Sequence, residues 1–236
     1  MNLDKIKAIF FDFGGTIDSD GVDWIDRLYD FFISNKLPLV KEDFLNATEQ
    51  AMKMISSDKA SGSLSYRQTV DVFVYWTIKN LSIVIEDYKK SVVYPFYHSS
   101  FEKINKNKKI FEKMGRKYAL GIVSNNFGNC EGWCKEFGIK EYFKIIIDSS
   151  IVGFDKPNKE IFLHACEKLK VRPEESVYIG DKFDIDMITP KNLLMTPIWI
   201  NDIEPDNFDS KGVIRIRKLE ELKKIFSIED EIRLLI

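Results

Sequence analysis

The sequence predicts an α/β fold in which a doubly wound, mostly parallel sheet carries an inserted helical domain. Six short apolar runs are continuous rather than alternating, which is typical of strands buried on both faces of such a sheet. They are KAIFFDF, YALGIVS, FKIIID, SVYIGD, TPIWI and GVIRIR. Helix-length segments such as KPNKEIFLHACEKLK separate the later runs, and this strand–helix alternation predicts a Rossmann-like core.

The interval between the first and second runs is far longer than a single crossover connection requires. Three stretches within it, VDWIDRLYDFFISNK, KEDFLNATEQAMKMI and YRQTVDVFVYWTIKN, have apolar residues at helical spacing. We therefore expect residues 17–98 to form a helical domain over the strand ends, and residues 1–16 and 99–236 to form the α/β core. Within the insertion, the Ser-rich and Gly-containing residues 56–65 predict a flexible loop.

Composition excludes several classes of function. A chain of 236 residues with 44% apolar content can bury a sizeable core. Lys and Arg total 35 against 37 for Asp and Glu, so the net charge is close to zero. The composition therefore gives no indication of a basic surface that would bind nucleic acid. We expect no membrane span and a cytoplasmic location, because no apolar run approaches the necessary length. The three cysteines fit reduced thiols, and Cys130 and Cys134 lack the further neighbours that a metal site needs.

Polar residues follow the first two predicted strands, at the edge where open α/β sheets bind ligands. Asp12 follows AIFF directly and precedes two glycines, so its carboxylate is placed to attack a substrate as a nucleophile. Ser124 ends the second run and can donate its hydroxyl, while backbone N–H groups around Asn125 can bind anionic oxygens. Together these residues predict a site for an anionic substrate.

A cation and two acids follow later strands. Lys156 precedes Pro157, which we expect in the first turn of a helix continuing through Phe162, so that the ammonium group lies near a helix start. There it would neutralise a nearby carboxylate and the oxygens of an anionic substrate. Asp181 and Asp186 follow SVYIG and offer the hard oxygen ligands that suit Mg²⁺.

Four segments in this order, DFGGT, VSNN, FDKPNKEIF and IGDKFDID, resemble the motifs of the haloacid dehalogenase superfamily. Members of that superfamily are hydrolases and phosphotransferases that act through an aspartyl nucleophile. The insertion resembles the cap of the subgroup whose cap lies between the first and second motifs. The resemblance implies a Mg²⁺-dependent phosphatase or phosphotransferase that acts on a small phosphorylated metabolite through an aspartyl-phosphate intermediate.

The resemblance also implies roles for individual residues. The implied catalytic residues are Asp12, Ser124 and Lys156. The implied phosphate-binding residues are Ser124, Asn125 and Lys156. The implied metal ligands are Asp12, the backbone carbonyl of Gly14, Asp181 and Asp186. Asp184 is expected to be a solvated or helix-start acid, because the spacing of the family motif selects Asp186.

Gly14 departs from the family pattern, which has a general acid/base aspartate two residues after the nucleophile. A positioned acid contributes about 10²- to 10⁴-fold in rate, so its loss matters least when the leaving group departs without a proton. Asp18 or Asp20 could substitute, although we favour a solvated or helix-capping role for both. Asp18 also begins DSDGV, a possible rival motif, but the preceding GGTI cannot form a buried strand, so we assign the nucleophile to Asp12.

Gly14 leaves other functions open. A halide needs no proton to depart, which fits a dehalogenase, but that chemistry does not need the acidic IGDKFDID motif. A phosphonatase would need an imine-forming lysine from the cap, for which Lys53 and Lys59 are available. A catalytically impaired phosphate-binding or regulatory protein is the remaining alternative. Candidates for substrate contact that could equally be core or surface residues are Arg27, Tyr66, Arg67 and Trp76. His98 and His164 are assigned no role, and we expect His164, within the predicted helix after Lys156, to be a packing or surface residue.

Overall fold

The core of the protein is a six-stranded, entirely parallel sheet with the strand order β3-β2-β1-β4-β5-β6. The computed structural model describes residues 3–35, 39–201 and 212–228. The strands are β1 (Ala8–Phe11), β2 (Ala119–Ser124), β3 (Ile145–Asp148), β4 (Ser176–Gly180), β5 (Thr196–Ile200) and β6 (Ile214–Ile216). All six predicted strands form, and the predicted α/β fold is confirmed.

Helices cover the sheet and fill the interval after β1. They are α1 (Trp24–Ile33), α2 (Lys41–Ser57), α3 (Tyr66–Leu81), α4 (Tyr94–Gly115), α5 (Cys130–Glu136), α6 (Ser149–Val152), α7 (Lys159–Leu169), α8 (Ile188–Asn192) and α9 (Leu222–Ile225). Between β1 and β2, the described residues form helices and turns only, as the helical spacing predicts. Within the described ranges, no helix is both long and apolar enough to span a membrane.

Strand β1 lies in the middle of the sheet and fixes where the site can be. Its Ala8 pairs with Ala119 of β2 on one side and with Ser176 of β4 on the other. The chain adds β2 and β3 outward on the first side, then returns to add β4, β5 and β6 on the second. The strand order therefore reverses between β1 and β4, and ligands of such sheets bind in the crevice beyond that point.

Both faces of β1 are buried, which explains why its sequence is a continuous apolar run. Successive side chains of a strand point to opposite faces. Phe11 packs edge-on against Phe111, with ring centroids 5.6 Å apart, and against Phe143 at 6.1 Å. Phe10 lies on the opposite face in a second buried cluster with Phe162.

The predicted loop at residues 56–65 is more regular than expected. Helix α2 continues to Ser57, and Lys59–Ser63 forms a 3₁₀ turn. Asp58 begins this turn because its side chain accepts a hydrogen bond from the Ala60 N–H at 2.9 Å. The Gly- and Ser-rich composition is compatible with a turn held by such a cap.

The expected position of Pro157 inside a helix is wrong. Helix α7 begins at Lys159, and Asn158 is its N-cap, since the Asn158 side chain accepts from the Glu160 N–H at 3.0 Å. Asn is among the strongest N-cap residues, so the helix starts one residue after it. Pro157 precedes the cap, and its peptide bond with Lys156 is cis.

Candidate active site

The turn after β1 presents Asp12 at the strand-order reversal. The Asp12 N–H continues the sheet by donating to the Ile179 carbonyl at 2.8 Å. Three residues later the chain turns at Gly15, which has φ +82°. A Cβ atom at Gly15 would lie 2.2 Å from Asp181 Oδ2, so only glycine lets the turn pack against that carboxylate.

Gly14 is under no such constraint. Its φ is −72° and its ψ is 130°, a conformation that any residue adopts. The nearest heavy atom to a Cβ built at Gly14 is Trp24 Cδ1, at 4.0 Å. The missing side chain therefore leaves open space beside Asp12, with the edge of an indole ring as its closest neighbour.

Three buried carboxylates meet at the ends of β1 and β4. One ligand atom from each of Asp12, Asp181 and Asp186 lies within 4.8 Å of the others. Burial, followed by the charges of Asp12 and Asp186, raises the pKa of Asp181 well above its usual value. Thr16 donates its hydroxyl to Asp181 at 3.2 Å. Because hard oxygen ligands crowded in this way repel one another and suit Mg²⁺, the residues fit a magnesium site.

Gly180 leaves room for the second of the two acids that follow β4. A Cβ atom at Gly180 would lie 2.4 Å from Asp186 Cγ, so the glycine allows the carboxylate to fold back over the strand end. There Asp186 Oδ2 accepts from the Lys182 N–H at 3.0 Å. Asp184, between Asp181 and Asp186 in the chain, is exposed as expected.

Lys156 is the cation of the site and is 4% exposed. Its Nζ lies 2.9 Å from Asp12 Oδ1 and 2.8 Å from Asp186 Oδ1. Burial alone would lower the pKa of Lys156, but the two carboxylates outweigh burial and raise it, so the amine stays charged. Tyr178 accepts a third bond from Nζ at 2.9 Å.

Asn125 holds the backbone of this lysine. The Asn125 Nδ2 donates to the Lys156 carbonyl at 2.9 Å, and the Lys156 N–H donates back to Asn125 Oδ1 at 2.7 Å. The side-chain amide thus joins the loop after β2 to the loop before α7. The sequence pointed only to the backbone around Asn125 and gave no sign of this positioning contact.

One cavity collects the predicted site residues. It has a volume of about 440 Å³, and the predicted residues that line it are Asp12, Gly14, Ser124, Asn125, Lys156 and Asp186. Asp181 does not line the cavity but belongs to the carboxylate cluster at its base. Among the cavity's other walls are the start of α1, where Asp23 and Trp24 lie, and Phe73 of α3.

Two of the residues that line this cavity form an ion pair that the sequence did not predict. Lys182, next to the cluster, lies 2.9 Å from Asp23 Oδ2. Burial opposes the charge of Asp23, but Lys182 and two backbone N–H groups lower the pKa of Asp23 below its usual value. Asp23 is also the N-cap of α1, accepting from the Ile25 N–H at 2.7 Å. Its position before an amphipathic helix is the signal that could have identified the cap.

Asp18 does not act at the cavity, and its predicted solvated or helix-capping role is wrong. The carboxylate is fully buried and does not line the cavity. It accepts from the Gly15 N–H at 2.8 Å, from the Tyr66 hydroxyl at 2.6 Å and from Arg27 at 2.9 Å. Because the turn after Gly15 folds inward, this acid needs internal partners rather than water.

Asp20 is buried for a related reason and is also not the solvated acid that we expected. Its Oδ1 accepts from Asn107 Nδ2 at 3.0 Å and from the Leu219 N–H at 3.2 Å. Lys103 lies 3.2 Å from its other oxygen. Asp20 therefore joins α4 to the segment after β6 and does not line the cavity.

The other candidates lie away from the cavity. Those absent from its lining are Arg27, Tyr66, Arg67, Trp76, Lys53, Lys59, His98 and His164. Lys53 pairs with Glu49 on the surface, and Lys59 is exposed. The histidines lie 3.4 Å from Glu102 and 3.9 Å from Glu167, and all three cysteines are free and buried.

Comparison with known proteins agrees with this architecture. Glyceraldehyde 3-phosphate phosphatase of Methanothermobacter thermautotrophicus is 28% identical, over 93% of this chain and 99% of the relative. The crystal structure of a HAD phosphatase from Thermococcus onnurineus has a TM-score of 0.52 at 23% identity, covering 95% of this chain and 99% of the other. The magnesium-bound structure of the putative HAD-hydrolase YfnB from Bacillus subtilis has a TM-score of 0.57 at 18% identity, covering 94% and 99%.

The two structural likenesses concern the fold alone, while a family model extends to the sequence of the site. The model for haloacid dehalogenase-like hydrolases matches residues 6–193, a range that includes every predicted site residue. The chain therefore belongs to the haloacid dehalogenase-like hydrolase family.

Proposed function

We propose that the protein is a Mg²⁺-dependent phosphatase that acts on a small phosphorylated metabolite through an aspartyl-phosphate intermediate on Asp12. The observation that carries the proposal is the buried Lys156, held between the Asp12 and Asp186 carboxylates at 2.9 and 2.8 Å. Several relatives are named as phosphatases of glyceraldehyde 3-phosphate, which supports the same reaction class. Residues 17–98 are proposed as the cap domain, and residues 1–16 and 99–236 as the core.

In the proposed reaction, an Asp12 carboxylate oxygen forms a bond to phosphorus while the bond from phosphorus to the leaving-group oxygen breaks. The bonding pair departs with that oxygen, and water then attacks the phosphoryl group to release phosphate and restore Asp12. Lys156 and Ser124 bind the phosphoryl oxygens, and Asn125 positions Lys156. Mg²⁺ held by Asp12, Asp181, Asp186 and the Gly14 carbonyl would supply charge neutralisation of the phosphoryl group.

The leaving group receives no proton from the position of Gly14. Among the described residues of the insertion that line the cavity, Asp23 is the one carboxylic acid. Its lowered pKa and its ion pair with Lys182 keep it charged, so it is a poor proton donor. The proposed enzyme therefore favours substrates whose leaving group departs as a weakly basic anion.

The same contacts argue against two alternatives. A dehalogenase has no use for the carboxylate cluster of Asp12, Asp181 and Asp186, which this chain retains. A phosphonatase needs an amine from the cap, and within the described part of the insertion no lysine lines the cavity.

Substitution of the nucleophile tests the proposal. We expect the wild-type protein to release phosphate from acetyl phosphate only with Mg²⁺, and Asp12→Asn to reduce release to background, because an amide cannot attack phosphorus. Asp184→Asn, which alters an exposed acid of the same loop as the ligands, is the matched control and should retain the activity. Activity that survives in Asp12→Asn would overturn the proposed nucleophile.

A binding protein would behave differently in the same samples. If wild-type protein shows no turnover but Mg²⁺ with beryllofluoride raises its melting temperature, the chain is a phosphate-binding protein and the hydrolytic proposal fails. If neither turnover nor stabilisation appears, the phosphoryl site itself is wrong.

A further inference from the structure

The cavity has a distinct apolar side, formed mainly by the insertion and by the region between β2 and the end of α5. Its residues, which we call the leaving-group chamber, are Trp24, Ile25, Met52, Phe73, Phe127 and Trp133. The chamber begins beside Gly14, where Trp24 Cδ1 is the nearest atom to the absent Cβ position. A substrate whose phosphoryl group lies at Asp12 would place the rest of its structure in this chamber.

The walls of the chamber are mainly apolar and are held by packing, although the Trp133 Nε1–H is buried without a partner among the described residues. Trp24 packs edge-on against Phe73, with ring centroids 4.9 Å apart and planes at 89°. The only polar atom of its indole, the Nε1–H, already donates to the Tyr66 hydroxyl at 3.1 Å. A polyol in this chamber would lose hydrogen bonds with water and could regain some only at Trp133 Nε1 and at the Ser56 and Thr69 hydroxyls, whereas an apolar group would gain from burial against the six chamber side chains.

Within the described ranges, the cavity has no free cation for a second anionic group. Among the described residues, the cations that line it are Lys156 and Lys182. Lys156 is shared between Asp12 and Asp186, and Lys182 is paired with Asp23. A carboxylate or a second phosphate on the leaving group would be buried without a counter-charge, which is costly.

We propose that the substrates are acyl or aryl phosphates whose leaving group has an uncharged, apolar body. This inference rests on the proposed phosphatase function and specifies its substrate class. Asp12 takes the phosphoryl group, the bond from phosphorus to the carboxyl or phenol oxygen breaks, and the leaving group departs with the bonding pair as a carboxylate or phenolate. Water then converts the aspartyl phosphate to phosphate and free Asp12, so no further reactant is needed.

Acyl phosphates of equal leaving-group chemistry but different bodies test this class. Butyryl and succinyl phosphate have leaving groups of similar length and basicity, but the second carries a distal carboxylate. We expect kcat/KM for butyryl phosphate to exceed the value for succinyl phosphate by about tenfold or more, because a mismatch in an apolar pocket is worth at least that factor.

A charge placed in the chamber should change this ratio. Met52 is 37% exposed and lines the chamber, so Met52→Lys can present a cation there without disturbing the core. We expect Met52→Lys to bring the ratio close to one or invert it. Met54→Lys on the same helix, where Met54 is 43% exposed and outside the cavity lining, should retain the wild-type ratio.

The outcomes separate this inference from the proposed function. If no acyl phosphate is hydrolysed above the Asp12→Asn background, both fail. If hydrolysis depends on Asp12 but succinyl phosphate or glyceraldehyde 3-phosphate matches or exceeds butyryl phosphate, the phosphatase stands and the apolar substrate class is overturned. An unchanged ratio in Met52→Lys would also overturn it.

Discussion

Gly14 and Gly15 are neighbours with opposite structural requirements. Gly15 has φ +82°, and any Cβ there would overlap Asp181, so its identity is set by geometry. Gly14 has ordinary extended backbone angles and open space around its Cβ position, so its identity is not set by geometry. The absence of a side chain at Gly14 is therefore a chemical property of the site and not a requirement of the fold.

Restoring an acid at this position should widen the substrate range. We expect Gly14→Asp to fold normally and to raise kcat/KM for an alkyl phosphate such as glycerol phosphate by up to about 10²- to 10⁴-fold, because alkoxide leaving groups need a proton. Steady-state hydrolysis of alkyl and acyl phosphates by the same preparation measures the change.

Gly14→Asn is the matched control, since it fills the same space with a side chain that cannot act as an acid. A gain shared by both variants would point to packing rather than proton transfer. No gain in Gly14→Asp, with an unchanged melting temperature, would contradict the view that the missing proton limits the native site.

At the residue scale, the sequence predicted the residues whose position follows from a strand end. Asp12, Ser124 and Asp181 were selected because each follows or ends an apolar run, whereas Asp186 was selected by the spacing of the family motif. Tyr178 was not, because a buried tyrosine within a strand gives no sign that its hydroxyl accepts from Lys156. That contact depends on the distance between two loops, which local sequence does not encode.

At the level of secondary-structure elements, a buried group of polar side chains links the turn after β1 to three helices through hydrogen bonds. Tyr66 of α3 donates its hydroxyl to Asp18 at 2.6 Å and lies 2.9 Å from Ser100 Oγ of α4. Arg27 of α1 bonds the same carboxylate at 2.9 Å. Burial, with the neighbouring Asp18 charge, raises the pKa of Tyr66, so its hydroxyl remains a donor at any physiological pH.

Removing the Tyr66 hydroxyl should weaken the link between the turn after β1 and these helices. We expect Tyr66→Phe to lower the free energy of unfolding by about 1–3 kcal/mol, because a hydrogen bond to a buried charge is lost and Trp24 Nε1 loses its acceptor. Chemical denaturation followed by circular dichroism measures the difference.

Tyr94→Phe on α4, where Tyr94 is 50% exposed, is the matched control and should change stability little. Equal stability of Tyr66→Phe and the wild-type protein would show that Arg27 and the Gly15 N–H satisfy Asp18 without the tyrosine hydroxyl.

Helix positions were predictable from apolar spacing, but helix ends and partners were less so. The three stretches chosen within the insertion became α1, α2 and α3. The start of α7 was misplaced because Pro157 and Asn158 are both compatible with a helix start, and the cap residue decided between them. Periodicity identifies the buried face of a helix and not what that face covers, so the leaving-group chamber was invisible in the sequence.

Across the whole molecule, the parallel sheet was predictable because continuous apolar runs alternating with helices have few other arrangements. Its strand order followed only from the structure, since each connection could place the next strand on either side of β1. That order brings Asp12 and Asp181 to one crevice from positions 169 residues apart in the chain.

Stability of the entire fold should report on the carboxylate cluster. We expect Mg²⁺ to raise the melting temperature relative to EDTA, because a cation that binds the native cluster stabilises the folded state. Asp181→Asn should abolish the increment, and the exposed Asp184→Asn should retain it. Thermal melts of the three proteins with and without Mg²⁺ make the measurement, and an equal increment in Asp181→Asn would contradict the proposed ligand set.

The cluster of Asp12, Asp181 and Asp186 also couples the binding of a cation to the binding of a phosphorylated ligand. Three clustered acids, two of them paired with one ammonium, make the base of the cavity an unfavourable place for a phosphate dianion. A bound divalent cation would reverse that preference, and coupling between two ligands of one protein is reciprocal. Binding of a phosphorylated ligand must then raise the affinity of the protein for the cation. The factor must equal the one by which the cation raises the affinity of the protein for the ligand.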